Sequence, residues 1–153
     1  MGTLARMKHI ILSLVVLVSS VAATGCGGSL LSRFGIRIEG DHIVFNDVIN
    51  FATGSDEILE ESHDLLDGLA QTLDEHPEIH EVRVEGHTDA AGDASDNLSL
   101  SNRRAASVVT YLRAAGVSQT LTPAGRGETQ LLCEEDTDEC NARNRRVEFV
   151  IIN

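Results

Sequence analysis

The chain has 153 residues, and 24 Asp and Glu against 12 Lys and Arg give a formal charge of −12. So acidic a chain is unsuited to phosphate backbones, which are bound by clustered Lys and Arg; with 3% aromatics and no Trp it also lacks the stacking platforms of single-strand binders, so nucleic acid is set aside as a partner. The length suits one domain with a single core, built of necessity from Val, Ile, Leu and Ala.

Arg6, Lys8 and His9 precede the uncharged apolar run Ile10 to Val18, which gives way to the small residues Ser19 to Gly25 and then Cys26. A basic head, a short apolar middle and a small-residue exit make residues 1–25 a secretory signal peptide. The apolar stretch falls short of the ~20 residues of a membrane span. Two exits are open. Ala23-Thr24-Gly25-Cys26 resembles a bacterial lipobox, which would lipidate Cys26, whereas ordinary cleavage near Ala23 would release a soluble periplasmic protein. Three cysteines in an oxidising compartment leave one odd, and a lipid on Cys26 removes the oddity. Beyond Cys26 lie ten Arg, no Lys and all 24 acids, a net −14.

Residues 26–35 read as a lipidated Cys and a short tether, with a reach of about 35 Å fully extended, and residues 36–153 as the folded domain. Ile36 to Ile38, a Gly40-Asp41 turn and Ile43 to Phe45 predict a hairpin running on into Val48 to Phe51. Turn and cap residues follow at Thr53 to Asp56. Apolar residues at 58, 59, 65, 66, 69, 70 and 73, with acids on the other side, predict an amphipathic helix stopped at His76-Pro77. Ile79, Val82 and Val84 predict a strand ending at Gly86. A second helix is expected from about Ala94 to Ala115, then a short strand from Leu121 to Gly125 and a closing strand from Arg146 to Ile152. Between these last two, Cys133 and Cys140 enclose six residues of which five are acidic, and a local disulfide is expected to clasp that loop. The fold class is α+β: a βαβαββ-type mixed sheet with helices packed on one face.

Three stretches carry the chemistry: Gly86-His87-Thr88-Asp89 at a strand end, Asn97-x-x-Leu100-Ser101-x-x-Arg104-Ala105 within a helix, and Asn144-Arg145-Arg146 before the last strand. Asn97, Leu100 and Arg104 are three and four apart and share one helix face. A carboxylate and two guanidiniums form a clamp for a small zwitterion. The alternative is an internal Asp89–Arg104 salt bridge holding strand to helix. His87 with Asp89 has no evident third metal ligand, so no metal is expected. Ser101 lacks the nucleophile elbow of a hydrolase, so no enzyme and no cofactor are expected either.

With Phe51-x-x-Gly54-Ser55 and Gly125-x-Gly127-Glu128 in the same order, the chain from about Ile43 to Ile152 resembles the OmpA-like C-terminal domain of the peptidoglycan-associated lipoprotein type. That resemblance implies non-catalytic binding of the peptidoglycan stem-peptide diaminopimelate. Asp89 would accept its ammonium and Arg104 its carboxylate. It further implies roles for Asn97, Leu100, Arg145, Thr88 and Gly54 around the ligand, His87 as structural, and an outer-membrane lipoprotein tied to the cell wall. Leu131, where the family usually has Pro, and the Cys loop depart from the pattern. The other reading is a periplasmic envelope module, soluble or anchored, that uses the same fold for protein partners.

Overall fold

A computed structural model describes residues 30–153. The signal peptide, Cys26 and Gly27 to Ser29 lie outside the described residues.

The first element is a short helix where a tether was expected. In α1 (Leu30–Phe34) the Phe34 ring is 6% exposed and belongs to the core, and Leu30 and Ile36 close over Gly68 of the next helix. The apolar residues in this segment explain the difference, because Leu30, Phe34 and Ile36 all pack against the core and together oppose the cost of ordering the segment. The hairpin β1 (Arg37–Glu39) and β2 (His42–Val44) forms as expected, but it stops at Val44. Val48 to Phe51 is not a strand. Asn50 N donates to Ser62 Oγ at 2.8 Å, Leu59 N donates to Asn50 O at 3.0 Å, and Phe51 pairs with Ile58 in an isolated bridge. That local closure takes Ile58 and Leu59 out of the following helix, which begins only after a single 3-10 turn at Glu60–Ser62.

Helix α2 (His63–Glu75) buries Leu65, Leu66, Leu69 and Leu73 and leaves Asp64, Asp67 and Asp74 in solvent, as its 3.6-residue pattern demands. Strand β3 (Glu81–His87), helix α3 (Ala94–Ala114), strand β4 (Thr120–Gly127) and strand β5 (Val147–Ile151) follow close to their expected positions. Helix α4 (Asp138–Asn144) falls where a loop was expected.

The five strands form one mixed sheet in the order β1-β2-β5-β3-β4, with β3 and β4 parallel and the other pairs antiparallel. Val82, Val84, Leu121, Val147 and Phe149 share one core with the inner faces of α2 and α3, so these helices cover one face. Two glycines fix how closely α3 lies on the sheet. A Cβ on Gly86 would sit 2.2 Å from the Ser101 carbonyl oxygen, and one on Gly125 would sit 2.6 Å from Asn102 N. Only glycine admits that approach, and it sets the residues after β3 beside the face of α3.

Candidate functional site

Asp89 follows β3 directly, where the strand gives way to a turn. One of its carboxylate oxygens accepts from Ala91 N at 3.2 Å, closing the turn, and the other accepts from Arg145 Nη1 at 2.6 Å. The side chains of Asp89 and Arg145 are 14% and 47% exposed. Thr88 is buried, and its backbone N donates to Gly127 O at 3.0 Å, which anchors the strand end to β4.

Asn97 is held in place by Asp93, which caps α3 by accepting from Ser95 N and Asp96 N. Its amide nitrogen donates to Ala91 O at 3.0 Å and to Glu128 Oε2 at 2.8 Å, and it lies 3.4 Å from Asp89 O. At 8% exposure that amide nitrogen is committed within the protein: it ties the Asp89 turn to the helix and to the segment after β4. Leu100 is partly buried one turn before Arg104.

Arg104 is partly buried, with Nε donating to Ser55 O at 2.9 Å and its guanidinium 4.9 Å above the Phe51 ring. The Ser55 carbonyl is aimed by a tight turn: Ser55 N donates to Ala52 O at 3.0 Å, and Gly54 sits at φ +67°, the left-handed region that glycine tolerates. Burial, and then the nearby Arg145, push the Arg104 guanidinium below its ordinary range, with Asp89 opposing. The fold therefore crowds two guanidiniums beside one carboxylate.

Arg145 follows the last turn of α4. Thr137 caps that helix by accepting from Cys140 N, and Asp138 and Glu139 occupy its positive end. The Cys133–Cys140 disulfide, Cα to Cα 5.8 Å, joins the start of the loop to the helix. Buried Asn144 finishes the clasp: its Oδ1 accepts from Leu132 N at 2.8 Å and its Nδ2 donates to Cys133 O at 2.9 Å.

A cleft of ≈ 210 Å³ lies among these groups, walled by Asn50, Phe51, Arg104, Ala142 and Arg145 with His87 at its base. The expected partners thus meet, with one change of pairing: the apo salt bridge of Asp89 runs to Arg145, while Arg104 is held by Ser55 and Phe51. Those two residues are site contributors that sequence reasoning missed as such. The only signal for them is their place beside Gly54 in one motif.

His87 is 1% exposed, and neither ring nitrogen has a hydrogen-bond partner among the described residues. Burial, then Arg146, hold it below the ordinary imidazole range, against the opposite pull of Glu148 and Glu85. Glu85 and Glu148, not Asp89, are the acids near it, each offering an oxygen within 4.8 Å. Both carboxylates are already engaged, Glu85 by Arg83 and Arg126 and Glu148 by Arg146, so three guanidiniums stand against any cation there.

Residues 50–145 match the OmpA family. The outer-membrane lipoprotein YfiB of Pseudomonas aeruginosa is 32% identical over 119 residues, 77% of this chain and 70% of that protein. The peptidoglycan-binding protein ArfA of Mycobacterium tuberculosis is 32% identical over 104 residues, 67% of this chain and 32% of that protein, so the chain spans about a third of its length. Among solved structures, the peptidoglycan-associated lipoprotein from Burkholderia pseudomallei superposes with a TM-score of 0.60 at 27% identity, covering 69% of this chain and 87% of that one. No helix among the described residues is long and apolar enough to cross a membrane. Asp89 in the turn after β3, the Asn97-to-Arg104 face of α3 and Arg145 after α4 all fall within the matched residues, and the chain belongs to the OmpA family.

Proposed function

We propose that this protein binds peptidoglycan without catalysis by gripping the zwitterionic end of stem-peptide diaminopimelate, and that a lipid on Cys26 holds it to the outer membrane. The observation that carries this reading is that Arg104 and Arg145 wall one cleft and that Arg145 also meets Asp89 at 2.6 Å. The ligand ammonium replaces Arg145 at Asp89, and the ligand carboxylate is taken by Arg104 with the released Arg145. Each charge-assisted hydrogen bond contributes about 1.5–3 kcal/mol, so the one lost between Arg145 and Asp89 is matched by the ligand ammonium, and the bonds of the ligand carboxylate to the two guanidiniums are the gain. Arg104 needs little reorganisation, since Ser55 and Phe51 already hold it in place.

Two relatives support both halves of the reading, one named a peptidoglycan-binding protein and one an outer-membrane lipoprotein. Three residues, Gly27 to Ser29, lie between Cys26 and Leu30 in the sequence, which bounds their separation at about 14 Å. The domain would therefore work close to its membrane, so the wall must come to it.

Sedimentation with purified sacculi tests the clamp. Wild type pellets with them, and Asp89→Ala and Arg104→Ala remain in the supernatant with unchanged circular dichroism. Undiminished pelleting by both variants would overturn the clamp, and a wild type that does not pellet would favour the envelope module with protein partners. Palmitate labelling of wild type, absent in Cys26→Ser, tests the anchor.

A further inference from the structure

A second, larger depression adjoins the clamp. Between the Ser55–Ile58 segment and the outer face of α3 lies a groove of ≈ 560 Å³, within the range of small-molecule sites. Its chemistry differs from that of the cleft. Two carboxylates, Asp56 and Glu57, and one guanidinium, Arg103, line it, with Asp56 and Arg103 3.5 Å apart, so the lining is acidic by one charge. Ser107 Oγ donates to Asp56 at 3.3 Å, and Thr110 and the edge of Tyr111 continue the polar lining over Ala106. Asp56 and Arg103 are 42% and 50% exposed and their contacts are long, so hydroxyl groups of a ligand can replace them without leaving a buried charge unpaired. The lining offers acceptors, donors and an aromatic side chain, and its surplus carboxylate, Glu57, disfavours an anionic ligand while it can accept from hydroxyl groups.

The groove and the cleft share no lining residue, and they meet at Ser55. Ser55 walls the groove while its carbonyl holds Arg104, and Arg103 and Arg104 are neighbours on α3. A ligand whose charged tip sits between Asp89 and Arg104 can continue into this groove.

We infer that the Asp56–Arg103–Ser107 groove is a subsite for the neutral, hydroxyl-rich saccharide of the same cell-wall polymer whose charged peptide tip the clamp holds. This rests on the peptidoglycan reading, and two defined probes separate the two. The first is the tripeptide L-Ala–D-Glu–diaminopimelate, and the second is that tripeptide on its N-acetylated disaccharide, each titrated calorimetrically against the full mature chain. Wild type should bind the disaccharide form about tenfold tighter. Ala106→Phe, which fills the groove from a partly exposed helix position, and Asp56→Asn, which alters its hydrogen bonding, should each cut that advantage to less than threefold. Both should bind the bare tripeptide as wild type does. Equal affinity of wild type for the two probes overturns the subsite and leaves the clamp standing, as does a tenfold advantage that survives in both variants. Failure of wild type to bind either probe overturns both.

Discussion

At Asp89 one oxygen shapes the turn and the other meets Arg145, so the side chain is oriented before any ligand arrives. Arg104 is oriented from the other side by a carbonyl and a ring. Its planar fork matters more than its charge: Arg104→Lys keeps the charge and loses the bidentate geometry. Sacculus binding by that variant is expected to fall at least about tenfold with an unchanged melting curve, and wild-type binding would refute the fork. Glu85 makes a different kind of prediction. Hydrogen bonds from Arg126, with Arg83 adding to them, hold its carboxyl down to about 2 from the ordinary 4.5. The unfolded chain therefore takes up the proton first as pH falls. The stabilisation is complete above about pH 4.5 and is lost on the way to about pH 2. Across that window the melting temperature of wild type should fall more steeply than that of Glu85→Gln, and parallel slopes would show that Glu85 contributes nothing.

Among the elements, α3 and α4 bring the arginines to the cleft, by different means. Helix α3 is laid against the sheet at Gly86 and Gly125, where its backbone leaves no room for a side chain. Gly86→Ala must push the helix or the strand aside, and an urea titration should show a loss of about 3 kcal/mol or more. Helix α4 is too short to persist by propensity and is held by its cap, the disulfide and Asn144. Removing the cap with Thr137→Ala should cost about 1 kcal/mol. Opening the disulfide should cost up to about 2.5 kcal/mol, the entropy of so short a loop. Because Arg145 follows this helix, reduction should also weaken sacculus binding while the domain stays folded.

The molecule as a whole has one core, and it reaches further towards the N-terminus than a tether would allow. Phe34 belongs to it, so Phe34→Ala should lower stability by roughly 3 kcal/mol, while an unstructured tether would show no change in chemical denaturation. The sheet has two edges, and both are blunted. Strand β1 is three residues long and β4 carries Pro123, so neither offers a long ladder to another chain. The strongly negative surface is spread over the outside of α2 and the Cys loop, whose Glu134, Glu135 and Asp136 line a depression with Ala90 and Ala91 just after Asp89.

Periodicity was enough to find α2, α3 and the strands from β3 onwards, because each buries one regular face against a common core, and a repeat of 3.6 or 2 leaves that face in the sequence. The spacing of the proposed clamp follows for a related reason: a strand end and a helix face need fixed spacings to bring Asp89 and Arg104 near each other. The partner of Asp89 was not legible. Arg145 reaches it across 56 positions only because α4 turns the chain back, and α4 depends on a cap, a disulfide and a buried amide rather than on a repeating pattern. The same holds for Val48 to Phe51, where apolar residues read as a strand; a single hydroxyl, Ser62 Oγ, and a one-pair bridge fold it into a loop whose ring and carbonyl position Arg104. Sequence by itself determined the elements that bury one regular face, α2, α3 and the strands from β3 onwards, and which charged residues the motifs contain. Contacts between residues far apart, which leave no period to read, decided which charge meets which.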